Sequence, residues 1–373
     1  MSRLRDLPLD LIAVALLALY PLVPGLSEAA DRLTKTTLGA ELTTLFIMAV
    51  LALGLNVVVG YTGLLHLGIA AFFGIGAYTV GILLVPVYPF QLGSNMPAGA
   101  GVLLALLAAA LAAAFVSVVT AAPLLRLRGD YLALTTLGFG EVVRFALRNL
   151  DEITNGTKGL NPIPQPDVPG LRGDWSGDYR YFFYVTLAVL AVTLVVLRNL
   201  ERSRLGRAWV ALREDELAAS CMGLNTARLK LMAFALGGGL AGLAGGLYAL
   251  RLGSTADPDT YSFQRSITVL CCLILGGLGN RPGVLLGVFL VLGFDNVVAP
   301  AVDRYIQEER LNPSGSPFLA FSSYRLMVFG LALILVMRFR PEGLLPSSRV
   351  RAELHDGEGE AASGAGAAAG KGA

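Results

Sequence analysis

Residues 42–60 read LTTLFIMAVLALGLNVVVG, from Leu42 to Gly60, without one charged side chain. A helix rises about 1.5 Å per residue, so roughly 20 such residues cross a hydrocarbon core of about 30 Å. Outward from this stretch the chain holds others like it. Pro8–Leu26 precedes it; His66–Val87, Pro97–Leu125, Tyr131–Leu150, Tyr181–Leu197, Leu229–Leu250, Ile267–Gly279, Gly283–Ala301 and Phe321–Met337 follow. The predicted fold class is all-α: a polytopic helical membrane protein of about ten transmembrane helices. Ile267–Gly279 is short and glycine-rich, which predicts a broken or re-entrant segment and a span count between nine and eleven.

Composition agrees with this reading. Hydrophobic residues are 55% of the 373 positions and charged ones 15%, against about 45–50% and about 25% in soluble domains. A soluble fold of ordinary shape cannot bury that much apolar surface. The formal charge of +2, with no long basic tract, argues against a nucleic-acid partner. Arg3 and Arg5 precede the first stretch as in a signal peptide, but Pro21 and Pro24 follow without a small-x-small cleavage site, which favours an uncleaved span. Cys221, Cys271 and Cys272 show no C-x-x-C spacing, and only His66 and His355 could join them as soft ligands. Neither a disulfide framework nor a metal site is expected.

Basic residues orient the spans. With the N-terminus inside, the inner side collects Arg126, Arg128, the basic segment Arg198 to Lys230, Arg338 and Arg340, whereas the connection from Val87 to Met96 carries none. The positive-inside rule then places both termini in the cytoplasm. A membrane domain over residues 1–350 follows, with a cytoplasmic segment at 201–228 and an outer loop at 151–180. That loop is rich in Asn, Gly, Pro and Asp and reads as ordered turns, large enough to meet a partner. The tail at 351–373 is Gly, Ala and Glu and is expected to be disordered and cytoplasmic.

Three clusters in the spans stand out. Gly238, Gly242 and Gly246 line one helix face with minimal side chains, which suits plain helix packing or a sliding or dimer contact. Gly54 to Gly68 holds Asn56, Gly60, Tyr61, Gly63 and His66, so it is either non-helical backbone lining a substrate path or a short cytoplasmic turn. Glu141 and Arg144 share a helix face, and embedded charge makes them substrate-path candidates or a structural ion pair.

Leu205 to Thr226 is the most informative polar segment. It reads as two short helices, the second capped by Asp215 and ended by Gly223, with Asn225 or Thr226 capping the next span. Arg213, Glu214, Asp215 and Glu216 form a dense charged cluster, either a docking surface or a solvated face. The chain contains no G-x-x-x-x-G-K-[ST] loop, H-E-x-x-H or Ser/His/Asp set. If ATP drives this protein, another chain binds it.

Taken together, several segments resemble the branched-chain amino acid ABC-transporter permease family, its M-type rather than its H-type subunit. They are Gly54-Leu55-Asn56 with Gly60 to Leu65, Ala71 to Tyr78, Leu127 to Ala133 running into Thr136 to Glu141, Thr154-Asn155-Gly156, Gly206-Arg207-Ala208 with Arg213 to Glu216, Gly276 to Gly279, and Arg340 to Leu344. Each is a weak glycine pattern; their order over about residues 40 to 346 makes the signal specific. The resemblance implies a permease heterodimer in the bacterial inner membrane, two cytosolic ATPase subunits that bind ATP and Mg, and an extracytoplasmic binding protein. No cofactor is then expected on this chain.

The resemblance also makes Leu205 to Gly223 the ATPase-coupling segment, with Arg213, Glu214, Asp215, Glu216 and Gly223 as its coupling residues. Importers of the wider class often show Glu-Ala-Ala followed by Gly here. In this chain Leu217-Ala218-Ala219 precedes Gly223, and the acid is displaced to Glu216. The implied mechanism is alternating access, with leucine, isoleucine or valine as cargo. Close alternatives are a urea or short-amide importer of the same architecture, an ion-coupled secondary carrier, and a membrane scaffold.

Overall fold

The structure, a computed structural model, describes residues 17–18, 20–22, 38–85, 98–125, 127, 129–163, 179–308, 324–340 and 343–345. Helix α1 (Leu38–Asn56) runs into a π turn (Val57–Tyr61), and residues 63–68 are not helical. Then come α2 (Ile69–Leu84), α3 (Ala98–Leu124), α4 (Asp130–Asn149) and two small turns, Asp151–Thr154 and Gly156–Lys158. After α5 (Tyr179–Arg202), the short helices α6 (Arg204–Glu214) and α7 (Glu216–Cys221) lead into α8 (Thr226–Leu252). A 3-10 turn (Pro258–Tyr261) precedes α9 (Phe263–Gly276) and α10 (Arg281–Gly293). The last continues through a π turn (Phe294–Val298) into α11 (Ala299–Glu308), and α12 (Arg325–Phe339) follows.

From Leu42–Gly60 onward, every expected stretch coincides with one of these helices. Among the described residues, five are long and apolar enough to cross a membrane: Leu38–Tyr61, Ala100–Leu124, Arg180–Arg202, Thr226–Leu252 and Arg281–Ile306; α2 and α9 are shorter and apolar. The chain is a polytopic helical membrane protein. Most of the expected first span, the tail at 351–373 and residues 164–178 of the outer loop lie outside the described residues.

Helix α1 is the axis of the bundle. Its side chains are buried almost without a break from Thr43 to Tyr61, because α5, α8 and α10 pack around it. On α8, one stripe faces α3: a Cβ on Gly238 would lie 2.5 Å from Ser117 Cβ, one on Gly242 2.4 Å from Ala113 Cβ, and one on Gly246 2.9 Å from Leu106 Cδ2. An adjacent stripe faces α1 and α2, where a Cβ on Gly245 would lie 1.9 Å from the Phe73 carbonyl oxygen. The glycine spacing therefore lets α1, α2 and α3 close on α8 within the chain. By contrast, α3 turns Leu103, Leu107, Leu111 and Phe115 outward, an apolar stripe suited to lipid or another apolar surface.

Helix α9 is a half-span. Its 14 residues reach about 21 Å. Its first backbone N–H, on Phe263, donates to Glu141 Oε1 at 3.3 Å in the middle of α4. The chain thus comes back from the far end of α8, turns at Asp257–Ser262, where Pro258 and Tyr261 are buried and Asp257 and Asp259 are exposed, and finishes at Gly276 beside the start of α10. The expected short stretch is thus a helix shorter than a full span that runs from the far end of α8 to the end where α10 begins. Contact with α10 is close: a Cβ on Gly276 would lie 2.0 Å from the Gly283 carbonyl oxygen.

Candidate functional site

Among the described residues, two polar assemblies interrupt the apolar bundle. The first is built around α6 and α7. Helix α6 folds back on the end of α5 at Ser203, whose Oγ accepts from Gly206 N at 3.3 Å, and a Cβ on Gly206 would lie 2.4 Å from the Leu200 carbonyl oxygen. Trp209 is fully buried, donates through Nε1 to the Leu229 carbonyl oxygen at 3.0 Å and stacks on Tyr61. Asp215 Oδ1 accepts from Leu217 N at 2.7 Å and Ala218 N at 3.1 Å, capping α7. Gly223 ends α7 at φ +83°, and Asn225 Oδ1 caps α8 through Arg228 N at 3.0 Å.

This unit is wired to the spans. Arg213 Nη1 donates to the Gly60 carbonyl oxygen at 2.8 Å, across the π turn that ends α1. Asn56 Oδ1 accepts from Gly279 N at 3.0 Å in the α9–α10 turn, so the ends of α1, α9 and α10 meet there. Tyr61 donates its hydroxyl to Glu201, which also accepts from Arg281 Nε at 2.9 Å. Lys230 Nζ, on a residue 3% exposed, pairs with Glu216 at 2.7 Å and fastens α7 to the first turns of α8. Asn56 and Tyr61, read as substrate-path candidates, stand in this network; of Gly54 to Gly68, the part up to Thr62 is helical and only residues 63–68 leave the helix to connect α1 to α2.

Of the expected coupling residues, the structure turns Glu214 and Asp215 outward and draws Arg213 and Glu216 inward. The outward surface of α7 also carries Leu217, 63% exposed, and at its C-cap Met222, 84% exposed. Sequence reasoning named Leu217 only as part of Leu217-Ala218-Ala219 and gave Met222 no role, because leucine and methionine beside membrane spans are commonplace. Their signal was an apolar residue in a capped, charged helix outside the spans.

The second assembly is a cavity of about 420 Å³ among α1, α8, α9 and the π turn after α10, with Glu41, Arg251, Arg265, Asp295 and Asn296 among its lining. Asp259 also reaches it but is held by Arg144 and Arg148. Arg144 in turn pairs with Glu141 at 2.8 Å. Glu141 and Arg144 therefore brace the turn before α9. None of the four substrate-path candidates, Asn56, Tyr61, Glu141 or Arg144, lines this cavity. The residues that do were not singled out from sequence, although Asp295 sits inside the apolar stretch Gly283–Ala301, where an acid is itself a signal.

Comparison with known proteins identifies the family of the chain. Residues 38–337 match the family described as branched-chain amino acid transport system / permease component. The chain is 38% identical over 338 residues, 85% of this chain and 72% of the relative, to the high-affinity branched-chain amino acid transport system permease protein LivM of Escherichia coli (strain K12). It is 26% identical to the probable branched-chain amino acid transport permease protein LivM of Methanocaldococcus jannaschii, covering 81% of this chain and 91% of that one. To the LivH permease protein of the same E. coli system it is 31% identical over 159 residues, 43% of this chain and 44% of that one. No solved structure matches.

Proposed function

The chain belongs to the branched-chain amino acid transport permease family, and on that premise we propose that it is the M-type membrane subunit of an ATP-driven importer of leucine, isoleucine and valine. It pairs with a second, H-type permease subunit. Two cytosolic ATPase subunits hold ATP and Mg, and an extracytoplasmic binding protein delivers cargo to the outer face. The pair works in the bacterial cytoplasmic membrane with both termini, α6 and α7 inside.

The observation that carries this reading is the anchoring of α6 and α7. Arg213 ties them to the end of α1, Trp209 and Lys230 tie them to α8, and the outward face keeps Leu217, Met222 and Glu214 for a partner. A push on that face is delivered to the central helices rather than absorbed in a loose loop. Transport follows by alternating access: ATP favours one conformation of the ATPase pair over the other, and the bundle follows through these anchors.

The test is uptake by vesicles holding the complete complex. ATP-dependent accumulation of leucine, undisturbed by excess urea, is the expected result. Carriage of urea without leucine would overturn the cargo, and leucine uptake without any ATPase partner would overturn the importer.

A further inference from the structure

The cavity among α1, α8 and α9 has no role in the coupling network, and its depth can be placed. Helices α1, α9 and α10 share the end where Asn56 meets Gly279. Counted from that end, Met48, Thr44 and Asp295 lie about 12, 18 and 24 Å along their helices, so the cavity runs from the middle of a core of about 30 Å into its far third. Glu41 and Arg251, whose charges attract one another, also line the cavity. At about 420 Å³ it is in the range of small-molecule sites.

Charges at this depth are costly and default to function. Here they have both signs. Arg265, in the first turn of the half-span α9, directs Nε to the Thr260 carbonyl oxygen at 3.5 Å and lies 6.0 Å from the centre of the Tyr248 ring. A guanidinium has five N–H donors, so this support leaves others for an incoming anion. The N-terminal end of α9, represented by Ser262 and Gln264, opens on the same space and adds the positive end of its dipole. Asp295 stands in the π turn between α10 and α11, which breaks the regular helix where the acid enters the cavity. Met48 and Leu292 add apolar wall.

We propose that this vestibule is a transit site for the zwitterionic head of an amino acid: Arg265 and the first turn of α9 take the α-carboxylate, Asp295 takes the α-ammonium, and Met48 and Leu292 meet the apolar side chain. The assignment rests on the importer reading and adds a site to it within this chain. A neutral amide such as urea has no use for the two opposed charges, and a simple cation has no use for Arg265.

A cysteine at Asn296 tests the site in the complete reconstituted complex. Its reaction with an externally added thiol reagent is measured against the same complex lacking the new cysteine. Millimolar leucine should slow that reaction at least threefold, and urea should leave it unchanged. The protection should be lost with Arg265→Gln or Asp295→Asn and kept with Arg265→Lys, which retains the charge and controls for folding. Equal labelling with and without leucine, or protection that survives both charge-removing variants, would overturn the site. Uptake keeps the two claims apart: leucine uptake without protection sinks the vestibule alone, and protection without ATP-dependent uptake sinks the importer alone.

Discussion

Arg213 reaches Gly60, 153 residues earlier in the chain, and its guanidinium hydrogen bonds the carbonyl oxygen at 2.8 Å. Gly60 lies in the π turn of α1, and Gly63, at φ +70°, lets the chain pass against the Arg213 side chain, where a Cβ would lie 3.0 Å from Cγ. Helix α6 and the central helix of the bundle are thereby held as one mechanical piece. A hydrogen bond from a charged donor contributes about 1.5–3 kcal/mol, enough to keep the two parts together through a conformational cycle.

The exposed face of α7 should be the contact with the ATPase. Leu217→Asp places a charge on that face and keeps the backbone N–H at 217 that Asp215 Oδ1 accepts. The ATPase recovered with the affinity-purified permease pair should fall several-fold while the amount of permease in the membrane is unchanged. Full recovery would mean that α7 faces something else.

Gly223 ends α7 in the left-handed region with open space around it. A Cβ added there meets nothing within 4 Å, so Gly223→Leu chiefly costs the backbone about 1–2 kcal/mol for a side chain at that φ. Transport should decline with little change in thermal stability of the membrane domain. A large drop in melting temperature would show that the residue is structural in a wider sense.

Glycine stripes on α8 give the opposite expectation. Gly245→Ala drives a methyl into the Phe73 carbonyl, and overpacking costs typically about 1–3 kcal/mol. Gly138→Ala on α4 meets nothing within 4 Å and gains about 1 kcal/mol of helix propensity. Melting of the detergent-purified protein should fall for the first and hold or rise for the second. The reverse order would contradict the packing of α8 on α2.

Much of this architecture was legible in the sequence because it is local. The helices follow from runs of apolar residues, and Asp215, Gly223 and Asn225 end or begin helices through neighbours two or three positions away. What stayed hidden joins distant residues. Arg213 with Gly60, and Glu141 with Phe263 across 122 positions, leave no periodic trace. Glu41, Arg251 and Arg265 sit at the ends of apolar runs, where charge is ordinary, and only the fold brings them to one cavity with Asp295.

Glu141 illustrates the difference. Its place in α4 suggested a substrate contact or an ion pair; its partners are Arg144 and the backbone of Phe263. Glu141→Ala should lower uptake of leucine, isoleucine and valine in the same proportion, because it loosens α9 rather than altering a contact with cargo. A changed ratio among the three in a competition assay would place Glu141 in the path.

The coupling claim is tested most directly by counting leucine taken up per ATP hydrolysed in vesicles carrying the complete complex with Arg213→Ala. Hydrolysis should stay within about twofold of the unmodified complex, because the ATPase chains are untouched. Leucine moved per ATP should fall about tenfold, the factor that 1.4 kcal/mol of lost coupling corresponds to. An unchanged ratio of leucine to ATP would contradict the account, since α6 would then have no part in carrying the motion to α1.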